Sequence, residues 1–196
     1  MEKLFDSIPN LTGPTVSLRK ISINDLENIK KMLLCDDIYR YVPPFVPELQ
    51  CNNDIEYFIN TMCQELFNKK IEIILGIYSK YCNNELCGIF ELFHYDEVKK
   101  QVSIGARLQK EYWNKGISRE ILALIIDYCF NKTDITTICA SSIADNPLGN
   151  KSLERMGFSK IEDGILEDWG YSEKVCVNKY NIKKVKTNNH FNHNHY

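Results

Sequence analysis

Leu108-Gln109-Lys110-Glu111-Tyr112-Trp113-Asn114-Lys115-Gly116-Ile117-Ser118 decides how the rest of the chain is read. Upstream, Val102, Ile104, Ala106 and Leu108 alternate with less apolar positions, the period of a half-buried strand. Downstream, Ile121, Leu124, Ile125, Tyr128 and Cys129 recur at helical spacing. The stretch is therefore predicted to be a strand-to-helix turn with Gly116 where the helix begins. Gly116 and Ser118 are small, which leaves the first-turn amides open. Such amides have no intrahelical partners and sit at the positive end of the helix dipole, a setting that suits a phosphate. Neither Gly-x-x-x-x-Gly-Lys-Ser/Thr nor Gly-x-Gly-x-x-Gly occurs here, so this is not a loop of either of those nucleotide-binding types.

The chain around it has 196 residues, 44% hydrophobic and 26% charged, enough for one domain with a substantial core. A formal net charge of -2 gives no global field toward nucleic acid or an anionic membrane, and neither is expected as a partner. No apolar run is long enough to span a bilayer, and Met1 to Asp6 lacks the apolar core of a signal peptide. Eight cysteines, at 35, 51, 63, 82, 87, 129, 139 and 176, form no Cys-x-x-Cys. Several, such as Cys129 and Cys139, fall in apolar stretches, which suggests reduced thiols in a cytoplasm and no metal site.

In chain order, Thr15 to Ile21 alternates and is predicted to be a first strand. Asn24, with Glu27 three residues on, is expected to cap a helix carrying Leu26, Ile29 and Leu33. Asp36 to Leu49, with Tyr39, Tyr41, Pro43, Pro44, Phe45 and Pro47, is expected to be an irregular loop that either serves a site or covers the core. Asn53 is expected to cap the next helix, with Ile55, Phe58, Ile59, Met62 and Leu66 on one face. Strands follow at Ile71–Ile77, Leu86–His94 and 101–108, then a long helix to about Phe130 and a strand over Ile135–Ile143. Asn146-Pro147 begins a short helix that Gly157 ends, before two last strands near 158–163 and 173–182. The fold expected is mixed α/β, in the order βααβββαβαββ. It has a mostly antiparallel twisted sheet of about seven strands with helices on both faces. A lead-in at 1–14, one domain over 15–183 and a disordered polar tail at 184–196 complete the division. The tail's His190, His193 and His195 are expected to bind metal only adventitiously.

Tyr112-Trp113-Asn114-Lys115-Gly116-Ile117-Ser118-Arg119-Glu120 resembles the pyrophosphate loop of the GNAT superfamily of acetyl-CoA-dependent N-acetyltransferases. It is most similar to the branch that acetylates ribosomal-protein N-termini, which typically has Tyr-Trp-Gly-Lys-Gly-Tyr-Ala-Thr-Glu; of the two glycines only the second is kept. Asn146-Pro147-Leu148-Gly149-Asn150-Lys151-Ser152-Leu153-Glu154-Arg155-Met156-Gly157-Phe158 resembles the second signature, Asn-x-x-Ser-x-x-x-x-Glu-Lys-Leu-Gly-Phe. Tyr39-Arg40-Tyr41-Val42-Pro43 is similar to that branch's Arg-Tyr-Leu-Pro segment, and Ile104-Gly105 to its Ile-Gly-Tyr strand.

The resemblance implies acetyl transfer from acetyl-CoA to a primary amine, on a protein N-terminus or a small molecule, within a ternary complex. It implies that Arg107 and Leu108 pair their backbone with the pantetheine, and that Trp113, Asn114, Lys115, Gly116, Ile117 and Ser118 form the pyrophosphate site. Asn146 would contact the pantetheine arm. A monomer or homodimer is expected. The chemistry needs a base for the ammonium and a donor for the oxyanion, but no covalent nucleophile. The branch's glutamate just before Ile-Gly is Ser103 here, which cannot serve as an ionised base. Glu91, sharing a strand face with Ile89 and Phe93, is the best substitute if that face is buried. Failing it, the amine would arrive neutral or lose its proton through water held by backbone carbonyls, with Ser141 or Asn146 the nearest polar groups. Asp36, Asp37, Glu48, Glu167 and Asp168 flank the expected acceptor side and would attract a cationic amine. The loss of acid at Ser103 favours one alternative, a non-catalytic acyl-CoA-binding or sensing domain.

Overall fold

In the computed structural model, which describes residues 1–42 and 52–185, the apolar run Ile73 to Tyr78 occupies the middle of one sheet. A strand covered on both faces needs no polar side, and here Ile73, Leu75 and Ile77 face one core while Ile74 and Tyr78 face another. The strands are β1 (Leu11–Thr12), β2 (Val16–Arg19), β3 (Glu72–Ser79), β4 (Leu86–Asp96), β5 (Gln101–Leu108), β6 (Thr137–Ile143), β7 (Ser159–Glu167) and β8 (Val175–Lys183). They lie in the order β1-β2-β3-β4-β5-β6-β8-β7. The β5–β6 pair is parallel and the other neighbours are antiparallel. The mixed, mostly antiparallel sheet expected from the sequence is therefore present, with eight strands instead of about seven. The extra strand, β1, has two residues, too few to show a period.

Helices α1 (Leu26–Leu33), α2 (Asp36–Tyr39), α3 (Asn52–Tyr57) and α4 (Cys63–Asn68) cover one face, the last two joined by a π-turn at Phe58–Met62. Ile29, Met32, Ile55, Phe58 and Ile59 pack there against Ile74, Tyr78 and Ile89. α5 (Ile117–Asp127) covers the other face with Ile117, Ile121, Leu122 and Ile125, and α6 (Pro147–Arg155) adds Leu153. The long helix expected to reach Phe130 ends as a π-turn, Tyr128–Lys132.

Some local expectations are corrected. Asn24 does not cap α1. The chain enters through a short 3-10 turn, Ile23–Asp25, and the Asp25 carboxylate accepts from the Ser22 amide at 2.8 Å and hydroxyl at 2.9 Å. It also accepts from the Tyr78 phenol at 2.8 Å, which ties this turn to β3. Asn53 falls inside α3, and its side chain lies outside the described residues, as do Pro43, Pro44, Phe45, Pro47, Glu48 and Cys51. The lead-in contributes to the core: Leu4 and Phe5 are buried, and the Phe5 ring lies 5.6 Å from Phe67 and 5.4 Å from Tyr95.

At the other end, Lys184 still belongs to the fold. Its amide donates to Thr136 O at 2.9 Å and its ammonium donates to Phe130 O. His190, His193 and His195 lie outside the described residues. The described cysteines are free thiols, with Cys63, Cys82, Cys87 and Cys129 buried. Among the described residues no helix is long and apolar enough to cross a membrane.

Candidate active site

β5 and β6 run side by side only from Gln101↔Thr137 to Ile104↔Ala140. Beyond that pair β5 continues to Leu108 and β6 to Ile143, so the two strands diverge. Among the described residues, the β5 edge from Gly105 to Leu108 then has no strand beside it on the β6 side, which opens a cleft between the two strands. An unpaired strand edge is a template for another extended amide chain. Arg107 and Leu108 lie on this open edge.

The loop beyond β5 is built to stay open. The Trp113 indole donates to Leu108 O at 2.7 Å, which folds the turn back on the strand end. Asn114 and Gly116 both take positive φ, 60° and 79°, and no atom lies within 4 Å of the place a Gly116 side chain would occupy. Ile117 is buried and pins the helix start to the core, while Asn114, Lys115, Gly116 and Ser118 are exposed. The Lys115 ammonium sits over the Tyr112 ring at 5.2 Å. The N-terminus of α5 takes no side-chain cap. Glu120, which could have turned back onto it, is drawn away to accept from Thr15 N at 2.8 Å, Thr15 Oγ1 at 2.5 Å and Val16 N at 3.0 Å. An N-terminus held open in this way presents amides and the positive end of the dipole to an anion.

On the α1–α4 face, the expected Glu91 is buried, with Ile89 on its own face in the core. The period-2 reading of β4 therefore holds. Sequence reasoning missed its partners. Arg107, two positions along β5 from Gly105, the residue opposite Glu91, is buried and pairs with Glu91 at 2.5 Å between Nη1 and Oε1. Glu72, on β3, is opposite Phe93 and so stands diagonally beside Glu91 on the same face. Burial, then the charge of Glu91, push the Glu72 carboxyl up to about 7, against the pull of Arg107. Gly105 makes room for this cluster: a Cβ there would meet Glu91 Oε2 at 3.1 Å and the Phe93 ring at 3.3 Å. The signal for Glu72 was available only as a pairing register, which depends on strands distant in the chain.

Tyr39 and Tyr171 stand beside the cluster. Burial raises both phenols, and the Arg107 charge works against that rise. The Tyr171 hydroxyl donates to Tyr39 O at 2.9 Å and also to Val42 O, which ties the β7–β8 loop to the end of α2. Ser141 is exposed on β6, across the cleft from β5. Asn146 caps α6, its Oδ1 accepting from Gly149 N at 3.0 Å. The acidic residues expected to attract a cation are engaged elsewhere. Asp37 pairs with Lys110 at 2.9 Å, and Glu167 pairs with Lys179 at 2.8 Å. Asp168 accepts from Gly170 N at 3.0 Å. The side chains of Asp36 and Glu48 lie outside the described residues. The buried cluster, and not the acidic rim, is thus where ionised groups gather next to the cleft.

The profile of the acetyltransferase (GNAT) domain matches residues 15–159. The uncharacterized N-acetyltransferase YoaA of Bacillus subtilis is 27% identical over 182 residues, covering 91% of this chain and 98% of its own. Among solved structures, an acetyltransferase from Salmonella typhimurium that modifies the N-terminal serine of a 50S ribosomal subunit protein superposes with a TM-score of 0.74 at 16% identity, covering 91% of this chain and 99% of that one. A spermidine N-acetyltransferase from Vibrio cholerae, in complex with CoA and spermine, gives 0.70 at 17% identity, covering 87% and 96%.

Proposed function

Because the chain belongs to the GNAT acetyltransferase family, and so is an acetyl-CoA-dependent acetyltransferase, we propose that it moves the acetyl group onto a primary amine by direct attack in a ternary complex. The observation that carries this reading is the β5–β6 divergence beyond Ile104 and Ala140, which opens a backbone edge between the α5 N-terminus and the buried Glu91. The pantetheine pairs with the edge at Arg107 and Leu108. The pyrophosphate meets the amides of Asn114 to Ser118, flanked by Trp113 and Lys115, and Asn146 contacts the pantetheine arm while capping α6. An amide on the open β5 edge is the donor for the tetrahedral oxyanion.

The ammonium must lose a proton before it can attack, and Glu91 takes it directly or through one water. Ser141, exposed across the cleft, and Asn146 hold that water where Glu91 does not reach the amine. The amine then forms the C–N bond as the C–S bond breaks, and the CoA thiolate leaves with a proton. The acceptor is a protein N-terminus or a small amine, in keeping with the Salmonella and Vibrio structural neighbours. With Asp37 and Glu167 already paired to lysines, acceptor charge is read at the buried cluster more than at the rim.

A thiol-release assay over a panel of amines and N-terminal peptides, with mass spectrometry of the product, tests this. An acetylated amine is expected, and Glu91→Gln should lower turnover by about 10²–10⁴-fold, the range for loss of a general base. CoA binding without turnover on any acceptor would sink the reading in favour of a CoA-sensing domain.

A further inference from the structure

We propose that Glu72 is a positioning residue for the deprotonation step: it acts through Glu91 as the second carboxylate of a pair that stores the amine's proton. The inference rests on the amine-transfer reading above. Its geometry comes from strand register. Glu72 is opposite Phe93 and Ile74 is opposite Glu91, so the two glutamates are diagonal neighbours on one face of adjacent strands. Across that diagonal the Glu91 charge adds to burial in pushing the Glu72 carboxyl up, and Arg107 pairs with the Glu91 carboxylate at 2.5 Å. Glu91 thus stands between a cation on β5 and a second acid on β3.

Charge decides where the proton goes. Two carboxylates and one guanidinium carry a net single negative charge when both acids are ionised. Like charges at contact distance disfavour that state and draw in one proton, and such a pair titrates as a unit. The groups around Glu72 are few. Glu91 and Arg107 face it from β4 and β5, and the Cys63 thiol faces it from α4. Cys63 is itself pushed up to about 12, chiefly by burial, then by Glu72 against Lys20, so it stays a neutral thiol. Glu72 is left as the group that changes charge near neutrality, pushed to about 7 by burial and by Glu91. A general base works best when it titrates close to the working pH.

The step balances. The ammonium gives one proton to the doubly ionised pair through Glu91, leaving a neutral amine and a singly ionised pair whose proton rests on Glu72. The amine attacks the thioester carbonyl, the C–N bond forms and the C–S bond breaks. The sulfur takes the electron pair together with the proton shed by the attacking nitrogen. The proton on Glu72 then returns to water.

Two readouts test the pair. In protein labelled with ¹³C at the glutamate side-chain carboxyl, one carboxyl should titrate at about 7. That signal should be lost in Glu72→Gln and should move toward the ordinary carboxylate range in Glu91→Gln. In the pH–rate profile of kcat/KM with a saturating amine acceptor, the acidic limb should vanish or shift in Glu72→Gln and be restored in part by Glu72→Asp. Turnover of Glu72→Gln at neutral pH should fall roughly 10- to 100-fold, below the Glu91→Gln loss, with KM for acetyl-CoA unchanged. An acidic limb unmoved by Glu72→Gln, or no carboxyl titrating near neutrality in the wild type, overturns the inference. The titration needs no turnover, so it decides the pair even for a chain that acetylates no amine, an outcome that overturns the proposed function itself. The wild-type titration also stands if Glu72→Gln fails to fold.

Discussion

Gly116 shows how much a single backbone angle carries. Its φ of 79° is a conformation L side chains rarely adopt, yet nothing lies within 4 Å of a Cβ built there. The strain of Gly116→Ala is therefore conformational, about 1 kcal/mol, with no clash added. Gly116→Glu adds a carboxylate beside the amides proposed to bind the pyrophosphate. Calorimetry should find acetyl-CoA binding nearly abolished in Gly116→Glu, with Gly116→Ala much less affected and both variants folded; equal affinities would remove the loop from the phosphate site. Glu72 makes the opposite kind of prediction. Its carboxyl is raised to about 7, so the folded state holds a proton that the unfolded chain releases at lower pH. Stability on this account is greatest below the ordinary glutamate range and declines as pH rises through about 7. Glu72→Gln should then raise the melting temperature at neutral and alkaline pH, by the equivalent of on the order of 1–3 kcal/mol, and change little in acid. Thermal melts across pH check the sign. Gly116 and Glu91 were legible from local pattern, as a helix start and a period-2 strand. Glu72 and the Arg107 side chain were not, because their meeting depends on register between strands that sequence alone does not align.

At the scale of elements, the site depends on α5 starting in the right place. Glu120, in the first turn of α5, ties that start to the chain entering β2, taking two backbone amides and a hydroxyl from Thr15 and Val16. Burial works to raise its carboxyl, but those hydrogen bonds win and hold it below the usual range. The anchor is therefore in place above the ordinary glutamate range and is lost as pH falls through the depressed value. Hydrogen bonds to a charged group are worth about 1.5–3 kcal/mol, so Glu120→Ala should cost about that much stability at neutral pH. KM for acetyl-CoA should rise while kcat changes little, since the residue touches neither acetyl group nor amine. A fall in kcat at unchanged KM would break this assignment. Most elements were readable in advance. α5 carries a strong helical period, β4 is a mostly apolar run, and Asn146-Pro147 signalled the start of α6. What failed was local chemistry at boundaries. Asn24 looked like a cap, but Asp25 serves the Ser22 amide because it also reaches Tyr78 on β3. Paired rim acids were invisible for the same reason: Asp37 and Lys110 are far apart in sequence and adjacent only in the fold.

For the whole molecule, both ends of the described chain close the same corner, around the connection from α5 to β6. Glu2 N donates to Lys132 O at 3.1 Å, and Asp134 N donates to Glu2 O at 3.1 Å. Lys184 N donates to Thr136 O at 2.9 Å, and the Lys184 ammonium donates to Phe130 O and lies 3.8 Å from Met1 Sδ. The two ends differ in what they bury. Leu4 is fully buried and Phe5 nearly so, with the Phe5 ring on Phe67 and Tyr95, whereas Val185 is exposed. The apolar side chains at the N-terminal end are each worth about 1.5–3 kcal/mol of burial, against a total stability of roughly 5–15 kcal/mol. Deleting residues 1–6 should therefore lower the melting temperature by about 10 °C or more, at roughly 2–4 °C per kcal/mol for a chain of this size. Cutting after Val185 removes no contact described here and should shift it far less. Cutting before Lys184 should cost an intermediate amount, because the backbone bond to Thr136 and the ammonium contact go together. Acetyl-CoA affinity, measured well below each variant's transition, should survive all three truncations, since this corner shares no residue with the cleft between β5 and β6. A short deletion at residues 1–6 that left the melting temperature unchanged would show that Leu4 and Phe5 contribute no net stability.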